Sequence, residues 1–391
     1  MSRNLRPKFY EFFAGGGMAR LGLGEAWDCA FANDFDPVKA RAYRANFPDA
    51  AAHFREGDVW ALETSDLPGQ ADLAWASSPC QDFSLAGARA GLAGGRSSAF
   101  FGFWKLVQGL NAEGRAPKTI VIENVVGLLT SHGGADFQAL CQALADEGYH
   151  FGALEIDANR FVPQSRPRVF VVATKENLPP QLVHVEPRLP FHSQRVVAAA
   201  NALPPETRER WVWWGLPFPP ASNRTLESVC MADDQVEWFD EKRQDALLAL
   251  LGKRHQELLA RAKGRGIRTI ATAFRRMRVE NGKKIQRTEL RFDGFAGCLR
   301  TPSGGSSKQF IVVIEGDDVR VRSLHPNEAG ALMGLTEGYS LPPSANAALK
   351  ICGDGVVVDV VKWLSEVLLS PLATHEVRDL NEPERTRSRA N

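Results

Sequence analysis

Phe9-Tyr10-Glu11-Phe12-Phe13-Ala14-Gly15-Gly16-Gly17-Met18 is the stretch on which the fold turns. The aromatic run Phe9 to Phe13 reads as a strand. Gly15, Gly16 and Gly17 read as a turn in which the backbone can approach a ligand closely, and Met18 to Trp27 reads as a helix whose first N–H groups are open to an anion. Outward from this unit, Cys29-Ala30-Phe31-Ala32 is a second apolar segment. It ends in Asn33-Asp34-Phe35-Asp36, about where an acid would hold a nucleoside ribose, and a further acid follows in Gly57-Asp58-Val59. Strand, glycine turn, helix, strand and acid in that order predict an α/β sheet with a nucleoside-cofactor site. The turn is not the dinucleotide pattern G-x-G-x-x-G, which favours S-adenosylmethionine over a nicotinamide cofactor.

Three further segments bear chemistry. Ala71 to Ala76 reads as a buried strand and leads into Ser77-Ser78-Pro79-Cys80-Gln81. Proline fixes the backbone beside a cysteine at a strand-to-loop edge, where a thiol near pKa ~8.5 serves as nucleophile once a positive neighbour ionises it. Pro117 to Ile122 reads as another buried strand, ending in Glu123-Asn124-Val125. A carboxyl group at the mouth of a parallel sheet is suited to proton exchange with a substrate ring nitrogen. Gln164-Ser165-Arg166-Pro167-Arg168 lies between two predicted strands, and its arginines, two apart on an extended segment, point to the same side.

The chain has 391 residues, 44% of them hydrophobic, enough for about two domains. Its six cysteines form no C-x-x-C pair and its eight histidines no H-E-x-x-H, so no metal site and no disulfide scaffold is expected. No apolar run reaches the length of a membrane span and the first residues lack a signal-peptide core, so the expectation is an intracellular chain with no membrane partner.

Taken in order, these segments resemble the cytosine-specific DNA methyltransferases that modify carbon 5. Phe13-Ala14-Gly15-Gly16-Gly17 matches the family's F-x-G-x-G, Pro79-Cys80-Gln81 its nucleophile motif, Glu123-Asn124-Val125 its E-N-V and Gln164 to Arg168 its Q-x-R-x-R. Arg322-Ser323-Leu324-His325-Pro326-Asn327-Glu328 matches R-x-L-x-P-x-E, and Gly353-Asp354-Gly355-Val356 stands for G-N-x-V. The chain departs from the pattern at Met18 (commonly glycine), Asp82 (commonly proline) and Asp354 (commonly asparagine).

The resemblance implies an α/β, S-adenosylmethionine-dependent methyltransferase (Rossmann-like) sheet with helices on both faces, plus a smaller irregular target-recognition domain. It implies Cys80, Glu123, Arg166 and Arg168 as catalytic residues. Phe13, Ala14, Gly15, Gly17, Asp34, Phe35, Asp58, Val59, Pro79, Asp354, Gly355 and Val356 are the implied cofactor contacts. Gln81, Ser84 and Arg96, in and after the nucleophile motif, are expected to face DNA. An RNA substrate, a non-catalytic DNA-binding relative and a dehydrogenase remain alternatives, the intact Cys80, Glu123 and Arg166 set speaking against the second.

The second half changes character. Prolines at 179–180, 187, 190, 204–205 and 217–220 mark loops and a boundary. Trp211, Trp213 and Trp214 are read as packing residues, and a helix is expected within Trp238 to Ala262. From Arg261 to Phe310 there are 13 lysines and arginines against three acids, in a chain whose net charge is only +1. Such a local excess is the footprint of nucleic-acid binding. Arg275, Lys283, Arg300, Ser303, Gly304, Gly305 and Ser306 are the expected DNA contacts, and Asn281-Gly282 a hairpin turn. The expected division is 1–180 catalytic and cofactor-binding, 181–320 target-recognising, 321–375 returning to complete the first part, and 376–391 a disordered tail. Double-stranded DNA is the expected partner of a cytoplasmic, nucleoid-associated monomer, with a cognate restriction endonuclease, acting separately, as a further candidate partner.

Overall fold

A computed structural model describes residues 6–78, 99–301 and 308–374. Its centre is a seven-stranded sheet: β1 (Lys8–Phe12), β2 (Asp28–Asp34), β3 (Phe54–Glu56), β4 (Leu73–Ala76), β5 (Thr119–Val125), β6 (His150–Asp157) and β7 (Pro167–Thr174). The strand order is β3-β2-β1-β4-β5-β7-β6. Neighbours run parallel except β7, which is antiparallel to both β5 and β6. Helices cover both faces, so strands such as Thr119-Ile-Val-Ile are buried throughout and read as continuous apolar runs. The order reverses at β1 and β4, and a crevice opens there beyond the strand ends, the usual place for a ligand in an open α/β sheet.

The first helix is shorter than its sequence suggested, Met18–Leu23, because Gly24 at φ 65° ends it. It packs on a helix from the far end of the chain, Val358–Leu364, closely enough that a Cβ on Gly22 would lie 2.4 Å from Val361. Phe9, Met18, Leu23, Val360, Trp363 and Leu364 share one core. Burying such side chains contributes about 1.5–3 kcal/mol each, and Trp27 adds a hydrogen bond from Nε1 to Ser365 Oγ of 2.9 Å.

The tryptophans pack as expected. Trp214 is fully buried and donates to Val172 O, while Trp211 sits edge-on to Phe137 and Phe151. They lie next to or within a two-stranded ribbon, β8 (Val183–His184) with β9 (Trp213–Trp214). The single helix expected within 238–262 is two, Glu241–Leu248 and Lys253–Lys263, separated at Gly252. The recognition part, expected to be irregular, includes a four-stranded antiparallel sheet beside its loops: β10 (Thr269–Glu280), β11 (Lys283–Arg291), β12 (Gln309–Glu315) and β13 (Asp318–Ser323), ordered β11-β10-β12-β13. Asn281 and Gly282, at φ 50° and 73°, form the hairpin turn between β10 and β11.

Candidate active site

A cleft of about 270 Å³ opens at the reversal point of the large sheet. Phe13, Ala14, Gly15, Asp34, Phe35, Glu123, Arg166, Arg168, Asp354, Gly355 and Val356 all line it, gathered from five separate stretches of chain. The turn that shapes its floor is strained: Phe13, a bulky residue, has φ 58°, and Gly15 and Gly17 follow at 58° and 78°. Asp34 holds this turn in place. One carboxylate oxygen accepts from Gly15 N at 2.8 Å and the other from Asp36 N at 2.9 Å, which leaves lone pairs toward the cleft. Burial pushes its pKa up, and the nearby Lys39 ammonium draws it back. Phe35, beside it, is 66% exposed, a bare ring at the cleft wall.

Other expected cofactor residues sit elsewhere. Gly17 does not line the cleft; its backbone makes the turn, with Phe47 and Tyr43 directly behind it. Asp58 caps the short turn Val59–Ala61 by accepting from Trp60 N, and Val59 is buried in the core against Gly102. Their loop still adjoins Asp34, since Gly57 N donates to Asp34 O at 3.0 Å. Pro79, Cys80, Gln81, Ser84, Arg96, Ser303, Gly304, Gly305, Ser306 and the tail beyond 374 lie outside the described residues.

Glu123 and the two arginines also meet at the cleft. Glu123, at the end of β5, pairs with Arg168 of the adjacent β7 across 3.0 Å. Its neighbour Asn124 donates from Nδ2 to Ser78 O at 3.1 Å, and so anchors the residue immediately before Pro79 and Cys80. Arg166 has a different employment. Its guanidinium is buried and donates to Leu299 O (2.8 Å), Gly353 O (2.8 Å) and Gly355 O (2.6 Å). Burial lowers its pKa to about 10, still far above neutrality. Both arginines reach Cys298 Sγ, at 3.4 Å from Arg166 and 3.9 Å from Arg168, so they do face one side as the sequence implied.

Two of the unusual residues are each accommodated by their own neighbours. Met18 Sδ lies 2.3 Å from where a Cβ on Gly355 would be, so the sulfur occupies space that only a glycine leaves open. Asp354 is a salt-bridge partner of Lys39 at 2.9 Å and also accepts from Thr301 Oγ1.

Glu11 is the functional candidate that the sequence reading missed. It lies in mid-strand on β1, 1% exposed, with Oε1 accepting from Arg20 N at 3.3 Å and Oε2 without a partner. Burial raises its pKa to about 8. An acid inside an aromatic strand was the available signal, because buried carboxyl groups are rare unless paired. S-adenosylmethionine carries a sulfonium, an ammonium group, a ribose diol and a flat base. A cleft with an orphaned buried carboxylate oxygen, two more acids and an exposed aromatic ring fits such a group. Among the described residues no cluster of three or more His, Cys, Asp or Glu could hold a metal ion, and no helix is long and apolar enough to cross a membrane.

A parallel sheet with one reversed strand, a strained glycine turn and strand-end acids around a nucleoside-sized cleft defines an S-adenosylmethionine-dependent methyltransferase. The chain belongs to the C-5 cytosine-specific DNA methylase family, whose model matches residues 7–370. It is 22% identical over 360 residues to the Type II methyltransferase M.HhaI of Haemophilus parahaemolyticus, covering 92% of this chain and 93% of that one. Over 179 residues, 45% of this chain and 41% of the relative, it is 32% identical to M.BsuFI of Bacillus subtilis. Its fold is that of the S. pombe Dnmt2 methyltransferase, with a TM-score of 0.58 at 17% identity over 94% of this chain and 99% of the other. The protein is a DNA (cytosine-5)-methyltransferase, an enzyme that methylates cytosine in double-stranded DNA through a covalent cysteine intermediate.

Proposed function

We propose that Cys80 is the nucleophile of this reaction, that Glu123 and Arg168 hold the target cytosine, and that Arg166 positions them. The observation that carries this reading is the Glu123–Arg168 pair at the cleft, next to the Asn124 amide that fastens Ser78. Cytosine carbon 5 is too weak a nucleophile to accept a methyl group unaided. Addition of the Cys80 thiolate at carbon 6 forms a sulfur–carbon bond and moves the ring's electron pair toward carbon 5. Glu123 holds ring nitrogen 3 and the amino group and shares a proton as charge builds there. Arg168 is oriented for oxygen 2 by its pairing with Glu123, while Arg166 fixes the segments on either side. When bound, S-adenosylmethionine supplies the methyl group and leaves as S-adenosylhomocysteine. Loss of the carbon 5 proton then restores the double bond and expels Cys80. The base reacts only when flipped out of the stack, at a cost of a few kcal/mol that protein contacts offset.

The cofactor's ribose is assigned to Asp34, its base to Phe35, and its ammonium group to the open oxygen of Glu11. We further assign residues 1–180 and 321–375 to one catalytic unit, joined by the close packing of Gly22 on Val361, and 181–320 to target recognition. We also propose a cytoplasmic monomer acting at the nucleoid on a specific sequence, with a separate restriction endonuclease of the same specificity; two similar chains are named Type II methyltransferases.

A duplex bearing 5-fluorocytosine at the target tests the central assignment, because fluorine cannot leave as a cation. With S-adenosylmethionine present the protein should become covalently joined to it on a denaturing gel. Cys80→Ala should form no adduct and methylate nothing, yet still bind DNA. Trapping or methylation by Cys80→Ala would mean that another residue is the nucleophile.

A further inference from the structure

The β10–β11 hairpin outgrows its sheet. β12 pairs with β10 only from Thr269 to Phe274, whereas β11 pairs with it from Thr272 through Glu280. Beyond Phe274 the hairpin is a free two-stranded arm, and six residues of strand reach roughly 20 Å. It leaves the sheet at the end where Gln309 begins β12, and Gln309 lies against Gly297 in the segment that runs on to Leu299, whose carbonyl holds Arg166 in the cleft.

The two faces of the arm differ. Ala271 and Ala273 face a core with Leu247 and Leu251. The opposite face starts at Thr272, whose hydroxyl donates to Phe295 O at 2.9 Å, and the chain then bridges from Ala296 to Gln164 of the catalytic part. Alternation places Arg276 and Arg278 on this catalytic side. Arg276 stands directly opposite Arg287. Like charges directly across a ladder are destabilising. Glu280 answers Arg287 at 2.8 Å and Glu289 answers Arg278 at 2.5 Å. Arg276 is exposed and has no acidic partner among the described residues, nor do Lys283 and Lys284 at the tip. A guanidinium left unanswered beside two that are braced is a surface made for an anionic occupant with hydrogen-bond acceptors in fixed places.

Resting on the proposed action on duplex DNA, we infer that this arm lies in the major groove with its Arg276 face toward the base edges, and that Arg276 reads a guanine of the recognised sequence. The major groove admits a two-stranded ribbon, and a guanidinium matches the paired acceptors of guanine. Glu280 and Glu289 keep Arg287 and Arg278 extended, and Lys283 and Lys284 hold phosphates.

The test is methylation of a pool of duplexes with randomised sequence, read by bisulfite sequencing, for the full chain and for Arg276→Lys, Arg276→Ala and Lys284→Ala. Thermal unfolding confirms that each variant folds. Arg276→Lys should keep the salt dependence of binding yet lose about 10- to 100-fold of discrimination at one base pair. Lys284→Ala should lower the salt slope by about one and leave the sequence profile intact. Arg276 variants that keep the wild-type profile, or that lose rate equally on all sequences, would overturn the inference. A wild-type chain that methylates no cytosine in any duplex would sink the proposed function and the inference with it.

Discussion

The cleft and the hairpin arm are both rich in arginine, and they use it in opposite ways. In the cleft Arg166 and Arg168 are nearly enclosed, one spent on three carbonyl oxygens and the other on Glu123. On the arm Arg276, Lys283 and Lys284 stand in solvent without acidic partners among the described residues. A buried guanidinium is held by geometry and loses much when one partner goes; an exposed one adds little to stability and is available to a ligand. Chemistry and recognition thus draw on the same side chain, and burial decides which task it performs.

The largest effect should come from Glu123→Gln, which keeps the shape of the cleft and removes the carboxylate. Single-turnover methyl transfer should slow by about 10²- to 10⁴-fold, with duplex affinity unchanged. An unaltered rate would move the chemistry away from the paired charges. A direct contrast follows from Arg166→Met and Arg276→Met in denaturant unfolding. The first strands the carbonyls of Leu299, Gly353 and Gly355 and should cost about 3 kcal/mol; the second should stay within about 0.5 kcal/mol. Equal losses would erase the distinction between the two regions.

Glu11 offers the most specific effect. An unfolded glutamate loses its proton near 4.5, whereas folded Glu11 keeps it to about 8. The folded chain therefore binds the extra proton between those values, and without cofactor its stability should fall as pH rises through that window. An ammonium group on Oε2 favours the ionised form, so cofactor binding should release a proton and tighten by up to tenfold per pH unit until about pH 8. Calorimetry in buffers of different ionisation enthalpy measures the release. In Glu11→Gln the pH dependence should vanish; its persistence would place the ammonium group elsewhere.

Much of the cleft was legible because its residues sit at strand ends in a fixed order. Asp34 follows the glycine turn by one strand, and Glu123 ends the next buried run after the cysteine. Glu11 was hidden by its aromatic neighbours, and the work of Arg166 was unreadable because its partners are backbone atoms 133 and 187 residues away. Asp354 alone looked like a departure from a pattern; only the fold brings Lys39 to it. The arm was legible as charge and as an Asn-Gly turn, but the faces on which those charges stand depend on register, and register is set by packing against the Leu247 core.

The bond from Arg166 to Gly353 also sets a clock on synthesis. A ribosome adding about 5–20 residues per second delivers Gly353 roughly 10–40 s after Arg166, given their separation of 187 residues. Until then the arginine lacks two of its three carbonyl partners, and the wall of the cleft formed by Gly353 to Val356 does not exist. A nascent chain that stops short of Gly353 would therefore hold its catalytic motifs in order without the wall that completes the cleft, so that methylating activity waits for the Gly353–Val356 segment to be made.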